Sequence, residues 1–324
     1  MVKLLLKSVL FLILLFGSYA IYYAYNPVNE ELNKANDYLL AIETKHQKLE
    51  KLPGPRIIFM GGSSVAFGVD SKSIGDSLGL NGFNLGLHAG LGLQFMVNEA
   101  LNVVKAGDIL VVSTEFFLGE GQMKMLAYMR QNYPASEQYM NLNASEKISY
   151  PYELAMDNIL SKNSRVQNTF LKGKKTVVQQ DTNSVYKRDG FNERGDYELH
   201  LDQDARPWGI FVKYDQKDEL YNSGIEQLNK LAALKEKGVQ VFYLFPGYPI
   251  EEYKRFQNPL QSFESQLKAG LLFPVLGKVT DFLYPEADFY DTVYHLRRKG
   301  RSERTKTIVR LLREALKLGK EVIQ

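Results

Sequence analysis

Two serines early in the chain, and an aspartate and a histidine far along it, are residue types that can do chemistry together. Ser63 and Ser64 follow an apolar run at residues 56–60 that ends in two glycines, and Asp291 and His295 precede the last amphipathic segment. A serine nucleophile needs a base to accept its proton and a carboxylate to orient that base. Each feature also has a plain structural interpretation, since Ser commonly caps helices. The chemistry therefore depends on a fold that brings both ends together.

The elements that must position these residues alternate between apolar runs and amphipathic segments. Buried strands are indicated by the apolar runs, bounded by Gly and Pro, at residues 56–60, 109–114 and 239–245, with another strand end near 83–86. Helices are predicted at residues 72–80, 93–105, 223–237 and 251–269, and from about 297 to 320. This alternation predicts an α/β fold with a doubly wound, mostly parallel sheet. In such sheets ligands bind at the carboxyl ends of strands, where the two serines stand.

The N-terminus predicts a membrane segment. An uncharged apolar run at residues 8–25 follows Lys3 and Lys7. About 18 such residues can just span a bilayer, and the lysines favour the cytoplasmic side. We therefore predict a signal anchor at residues 1–25, with a membrane-anchored, extracytoplasmic remainder in the periplasm or at the surface of a bacterium. The alternative is cleavage after Ala20, since Ser18 and Ala20 form a small-x-small site, and the protein would then be secreted.

The rest of the chain divides into three predicted parts. Residues 26–54 are interpreted as a stalk helix, and residues 55–324 as the α/β domain. Within that domain, residues 120–222 lose the strand–helix alternation and are interpreted as a large insertion. The insertion is either a cap that contacts substrate or a solvated structural excursion. The insertion contains Trp208, the single tryptophan of the chain. Trp208 could stack on a sugar, although core packing is the plainer interpretation.

Composition excludes several classes of function. The chain has 324 residues, 45% of them hydrophobic, which is enough for a substantial core. It has no cysteine, so disulfides and thiolate chemistry are excluded. The net charge of +3 and the lack of a long basic run do not indicate nucleic acid as a partner. With four histidines and no ligand-like spacing, we predict no metal and no cofactor.

The segment that carries the two serines resembles a block of the SGNH (GDSL-like) hydrolases. Residues 62–68, Gly-Ser-Ser-Val-Ala-Phe-Gly, match the family's Gly-Asp-Ser-x-x-x-Gly turn, with Ser63 in the Asp place. The resemblance makes Ser64 the nucleophile. Residues 84–90 resemble the second block, whose glycine amide helps bind the oxyanion, and this implies Gly90 for that role, with Gly86 as the alternative. The implied fold is a three-layer, flavodoxin-like domain.

The last block is also similar, with two departures from the family. Asp291 and His295, followed by Leu296, resemble its Asp-x-x-His-Leu, but the carboxylate lies four rather than three positions before the histidine. The third block, Gly-x-Asn-Asp, is not evident, and residues 113–115 occupy the corresponding strand end. There Glu115 stands at the substrate or oxyanion position, and it is no hydrogen-bond donor while ionised.

The resemblance implies a serine acyl-ester enzyme. Ser64 would attack the acyl carbonyl, His295 would act as general base and then acid, and Asp291 would orient it, while the amides of Ser64 and Gly90 hold the oxyanion. The membrane tether adds a likeness to exported SGNH proteins of envelope polymers, such as alginate O-acetyltransferases and proteins of teichoic acid D-alanylation. This implies an O-acyltransferase or esterase acting on a cell-surface polysaccharide, with a membrane acyl-donor protein as a partner. The alternative is a catalytically degenerate scaffold protein of a polysaccharide assembly complex.

Overall fold

The computed structural model describes residues 2–25, 36–147, 149, 185–208 and 221–317, and every structural statement below concerns these residues. The chain forms two compact units, Met1–Asp37 and Tyr38–Gln324. In the first unit, helix α1 spans Val2–Tyr25. No helix among the described residues combines the length and hydropathy that crossing a membrane requires. The membrane-spanning helix predicted at residues 1–25 is therefore not confirmed.

The first helix of the second unit lies within residues 26–54, for which a stalk helix is predicted. Helix α2 (Ala41–Lys51) buries Ala41, Ile42, Lys45 and Leu49. Three of these belong to the hydrophobic core, so α2 is part of the compact unit rather than a separate stalk. Residues 26–35 of the predicted stalk lie outside the described residues.

A parallel sheet forms the centre of the second unit. Its strands are β1 (Arg56–Met60), β2 (Asn81–Asn84), β3 (Ile109–Val112), β4 (Gln240–Leu244) and β6 (Val275–Leu276). Their order is β2-β1-β3-β4-β6, and every neighbouring pair is parallel. Two short parallel strands, β5 (Tyr248–Pro249) and β7 (Leu283–Tyr284), pair separately. The predicted α/β class and mostly parallel sheet are confirmed, and the order reverses direction between β1 and β3.

Helices flank this sheet in an arrangement compatible with three layers. They are α3 (Ser63–Gly68), α4 (Ser71–Leu78), α5 (Leu93–Val103), α6 (Met123–Asn132), α7 (Asn222–Asn229), α8 (Ile250–Arg255), α9 (Gln257–Gly270) and α10 (Arg298–Ala315). Helix α10 packs against α4, and α5 packs against α7. The single helix predicted at residues 251–269 is two helices. Pro259 explains the break. It has no amide hydrogen, and in a continuous helix its ring would clash with the carbonyl of Arg255.

The predicted insertion contributes to the core where it is described. Tyr197 and His200 are fully buried, and Phe191 and Tyr197 form an isolated antiparallel bridge. Residues 172–175 of the insertion lie outside the described residues. Arg188 of the insertion pairs with Glu43 of α2. The described end of the insertion is therefore packed structure rather than a solvated excursion.

Candidate active site

Three of the predicted site residues follow the carboxyl ends of two neighbouring strands. Ser63 and Ser64 follow β1, and Glu115 follows β3, which pairs with β1 in parallel. The sheet order changes direction between these two strands, which is where open α/β sheets form ligand-binding crevices. The structure thus brings both serines and Glu115 to one place.

Asp291 and His295 form a hydrogen-bonded pair. Nδ1 of His295 lies 2.7 Å from Oδ1 of Asp291. A bridge between Phe289 and Leu296 closes the loop that carries them, so the chain folds back within a few residues. This closed loop explains why a spacing of four rather than three still places the carboxylate on the ring. The structure therefore brings Asp291 and His295 into a direct hydrogen bond, and their catalytic roles stay predictions.

Tyr186 completes this pair, and the sequence analysis missed it. Its hydroxyl donates to Oδ2 of Asp291 at 2.6 Å and lies 3.3 Å from Nδ1 of His295. Burial raises the pKa of Tyr186, so its phenol keeps the proton that it donates. For Asp291, burial acts to raise the pKa, but the hydrogen bond and charge of His295 outweigh it and hold the pKa below its usual value. No local motif marks Tyr186, because it reaches the site from the predicted insertion.

The His295 ring packs on helix α3. Phe67 stacks on it with ring centroids 4.0 Å apart and planes inclined by 13°. Residues four apart share a helix face, so Ser63 lies on the same side of α3 as Phe67. No hydrogen bond joins His295 to Ser63 or Ser64 in the described part of the chain. The base and the serines are neighbours, and their direct contact is not formed in this conformation.

The two serines have different environments. The side chain of Ser64 is fully buried and its Oγ has no hydrogen-bond partner, while its carbonyl accepts a bond of 2.7 Å from Arg304. Ser63 is partly exposed, and its Oγ donates to Oε1 of Glu115 at 3.4 Å. A substrate can therefore approach the hydroxyl of Ser63 more readily than that of Ser64. The resemblance in the sequence had favoured Ser64 as the nucleophile.

Glu115 lies directly over the turn that carries the serines. Its Oε1 accepts the amide of Ser64 at 2.8 Å, and its Oε2 is buried without a hydrogen-bond partner. A Cβ added to Gly62 would collide with this carboxylate. A larger residue before Ser63 would therefore push this carboxylate out of its present position. Of the residues predicted for substrate or oxyanion contact, Glu115 is the one in contact with both serines.

The predicted oxyanion amides already have acceptors within the protein. The Gly86 amide donates to Oδ1 of Asn84 at 2.8 Å, and the Gly90 amide donates to Nδ1 of His88 at 2.9 Å. The Ser64 amide is bonded to Glu115, as described above. All three are therefore engaged, whereas the amide of Ser63 has no partner among the described residues.

A buried polar network holds the loop after β2 beneath the site. Asn84 donates through Nδ2 to Oδ1 of Asp196 at 2.9 Å. Burial raises the pKa of Asp196, with Arg301 the main opposing charge. Lys45 of α2 donates to the carbonyl of Asn84 at 3.1 Å and to that of Gly86. The sequence analysis missed Lys45 and Asp196, since only the folded chain shows that they are buried.

A cavity of about 440 Å³ adjoins Phe289, at the start of the loop that carries Asp291 and His295, but neither of these two residues lines it. Its lining includes Arg206, Trp208, Glu252, Arg255 and Glu286. The edge of Trp208 packs on Phe289, at a centroid distance of 6.0 Å, so this tryptophan serves the core and also faces the cavity. Within the described ranges, no cluster of His, Asp and Glu is arranged to hold a metal ion.

Comparison with known proteins adds no relative: neither a family model nor a curated protein matches this chain. The likeness to SGNH hydrolases therefore rests on the residues quoted above.

Proposed function

We propose that this protein is a serine acyl-ester enzyme, an O-acyltransferase or an esterase. The observation that carries the proposal is the pair of His295 and Asp291, completed by Tyr186, packed against the short helix that begins with the two serines. A histidine oriented by a partly buried carboxylate beside a serine is the arrangement that acyl transfer needs. A proton can move to or from His295 while Asp291 stabilises the charged ring.

Within this proposal, the nucleophile is Ser63 rather than Ser64. Ser63 is partly exposed, lies on the Phe67 side of α3 and donates its hydroxyl to a carboxylate. Its own amide is unengaged within the described ranges of the chain and can donate to the oxygen of an acyl group bound at Oγ. Ser64, in contrast, is fully buried. The first block of the SGNH pattern would then align with Gly61, Gly62 and Ser63, directly after strand β1.

The acceptor is proposed from sequence and from the cavity. A polysaccharide hydroxyl fits a site beside a cavity lined by a tryptophan, two arginines and two glutamates, because rings stack on sugars and charged groups bind hydroxyls. The exported, membrane-anchored location and the membrane acyl-donor partner stay predictions of the sequence. Water as the acceptor would make the same site an esterase.

The second candidate function is a scaffold protein with an SGNH-like fold and no turnover. The observation that favours it is the engagement of all three predicted oxyanion amides by Glu115, Asn84 and His88. An oxyanion donor contributes about 3–4 kcal/mol to transition-state stabilisation, so a site lacking such donors would be slow. The two candidates differ in whether a covalent acyl-enzyme forms.

The test is steady-state hydrolysis of p-nitrophenyl acetate by the full chain and three variants. We expect Ser63→Ala to lose at least about a hundredfold in both kcat and kcat/KM, and His295→Ala to lose at least about a hundredfold in kcat. Ser64→Ala should remain within about tenfold of the wild type. Loss with Ser64→Ala but not with Ser63→Ala would return the nucleophile to Ser64. A folded wild type without turnover or an acyl adduct would favour the scaffold.

A further inference from the structure

We propose that Glu115, rather than His295, accepts the proton of Ser63 when the acyl-enzyme forms. This inference rests on the proposed function and divides its proton transfers between two bases. Glu115 would handle the serine oxygen, and His295 would handle the oxygen of the leaving group or the acceptor.

The hydrogen bonds of the serines support this division. Oγ of Ser63 donates to Oε1 of Glu115 at 3.4 Å, and Oγ of Ser64 has no partner. A general base must lie within hydrogen-bond reach of the proton it takes, and such bonds are often long before substrate binds. Glu115 satisfies this condition for Ser63. His295 is hydrogen-bonded to Asp291 and Tyr186, and to neither serine.

The position of Glu115 is fixed on both sides. The amide of Ser64 holds Oε1 at 2.8 Å, and the carboxylate lies against Gly62, where any larger residue would displace it. The side chain is 5% exposed, so water does not compete for it. Oε2 has no hydrogen-bond partner among the described residues and can carry a proton without loss of an existing contact. The carboxylate is thus built to gain a proton in place.

Each step of the acyl transfer has a donor and an acceptor for the proton that moves. Oγ of Ser63 bonds to the acyl carbon and its proton passes to Glu115. The ester C–O bond breaks, and an alkoxide leaving group takes a proton from His295 in its protonated form. In deacylation, an acceptor hydroxyl or water attacks the acyl carbon and gives its proton to His295. Oγ departs from that carbon and regains the proton held by Glu115, which restores the starting state.

The two bases can be separated with a leaving group that needs no proton. p-Nitrophenolate departs as an anion, so acylation by p-nitrophenyl acetate requires only the base that deprotonates Ser63. Its release is measured in a single turnover with enzyme in excess. We expect Glu115→Gln to slow this release by about a hundredfold. His295→Gln should keep the single-turnover rate within about tenfold of wild type and lose steady-state turnover, because deacylation still needs His295.

Controls separate a chemical role of Glu115 from a structural one. Glu99→Gln, which removes a buried carboxylate paired with His46 on α2, should keep the single-turnover rate. Formate should restore single-turnover release to Glu115→Ala, since it can replace the missing carboxylate but cannot repair a misfolded chain. Full release by Glu115→Gln, loss of release with His295→Gln, or no rescue by formate would each overturn the inference. Wild-type release no faster than that of Ser63→Ala would instead overturn the proposed function itself.

Discussion

Asp291 divides its two oxygens between two partners, and this division fixes the His295 ring. Oδ1 lies 2.7 Å from Nδ1 of His295, and Oδ2 accepts the Tyr186 hydroxyl at 2.6 Å. A carboxylate held at both oxygens has little freedom to rotate away from the imidazole. Tyr186 is therefore a positioning residue for the proposed base.

Tyr186→Phe removes one charge-assisted hydrogen bond from Asp291 and leaves the ring in place. We expect kcat for p-nitrophenyl acetate to fall about tenfold, with kcat/KM within about twofold, because His295 serves the deacylation step of this substrate and such a bond contributes about 1.5–3 kcal/mol. Tyr133→Phe is the matched control, since Tyr133 contacts His46 and not the site. An unchanged kcat for Tyr186→Phe would show that Asp291 is positioned without it.

His88 has a tautomer that the backbone dictates. Its Nδ1 accepts the Gly90 amide, so the proton of the neutral ring is on Nε2. Burial, and then the charge of His295, lower the pKa of His88. Protonation of His88 is less favourable in the folded chain than in the unfolded chain. The free energy of unfolding therefore falls as the pH drops below the ordinary pKa of histidine. We expect 15N NMR to show the Nε2–H tautomer and a titration midpoint below 6.5. A Nδ1–H tautomer would contradict this geometry.

Among single residues, the sequence predicted those that stand in short motifs. Asp291 and His295 could be paired because they are only four positions apart and a carboxylate can orient an imidazole. The resemblance favoured Ser64 over Ser63, but accessibility depends on which serine helix α3 buries, and no local pattern in the sequence shows that. Tyr186 could not be found because its partner lies 105 residues away and no local pattern records that contact.

At the scale of elements, α2 supports the site through a buried lysine. Lys45 is 2% exposed, and its Nζ donates to the backbone carbonyls of Asn84 and Gly86 in the loop after β2. Phe191 lies 4.2 Å from the same ammonium and provides a ring face. The helix that was interpreted as a stalk is thus attached to the loop that carries the second block.

Lys45 should make the stability depend on pH. Burial lowers its pKa to about 7 from an ordinary 10.5, with Asp196 and Glu99 opposing. Between these values the unfolded chain binds a proton that the folded chain does not, so the free energy of unfolding rises with pH. Urea unfolding at pH 7 and pH 9 should show a larger gain for the wild type than for Lys45→Met. Equal gains for both proteins would contradict this assignment.

Helix α10 is fixed to three strand ends by one buried arginine. Arg304 donates to the carbonyl of Ser64 and to Oγ of Ser113, both at 2.7 Å, and to the carbonyl of Phe245 at 3.4 Å. These acceptors follow β1, β3 and β4. Burial lowers the pKa of Arg304 to about 10, and the neighbouring Tyr284 and Glu115 act to raise it. The guanidinium is therefore a structural centre behind the serines.

Arg304→Lys keeps the positive charge but replaces the planar guanidinium, with its several N–H donors, by an ammonium. We expect the free energy of unfolding to fall by about 3 kcal/mol, because an ammonium on a shorter reach cannot satisfy these acceptors together. Chemical denaturation measures the change. Arg310→Lys, on the exposed face of the same helix, should change it by less than about 0.5 kcal/mol. A stability of Arg304→Lys equal to that of the wild type would show that water or rearrangement supplies the missing bonds.

The elements that the sequence predicted well are the buried ones. Strands β1, β3 and β4 are short apolar runs ended by Gly, Pro or charged residues, and tertiary packing agrees with their local pattern. Strand β6 has only two residues and no such signal, so it was not predicted. The break between α8 and α9 could have been read from Pro259. The role of α2 could not, because a polar helix with a buried lysine resembles a solvated one.

At the scale of the whole molecule, strand order places the candidate site. Alternating strands and helices predict a parallel sheet, but they leave the order of its strands open. The observed order β2-β1-β3-β4-β6 reverses between β1 and β3, and the serines and Glu115 follow these two strands. The last loop and the end of the predicted insertion then bring His295 and Tyr186 to the same edge. The site is thus assembled from four distant parts of the chain.

The central claim is that Ser63 is a nucleophile, and covalent labelling tests it most directly. The folded full chain is treated with a fluorophosphonate, which phosphonylates activated serines irrespective of the natural acyl donor, and the adduct is located by intact mass and peptide mapping. We predict one adduct, on Ser63, that is absent from Ser63→Ala and still forms with Ser64→Ala. An adduct on Ser64, or a folded wild type that takes none, would contradict the account.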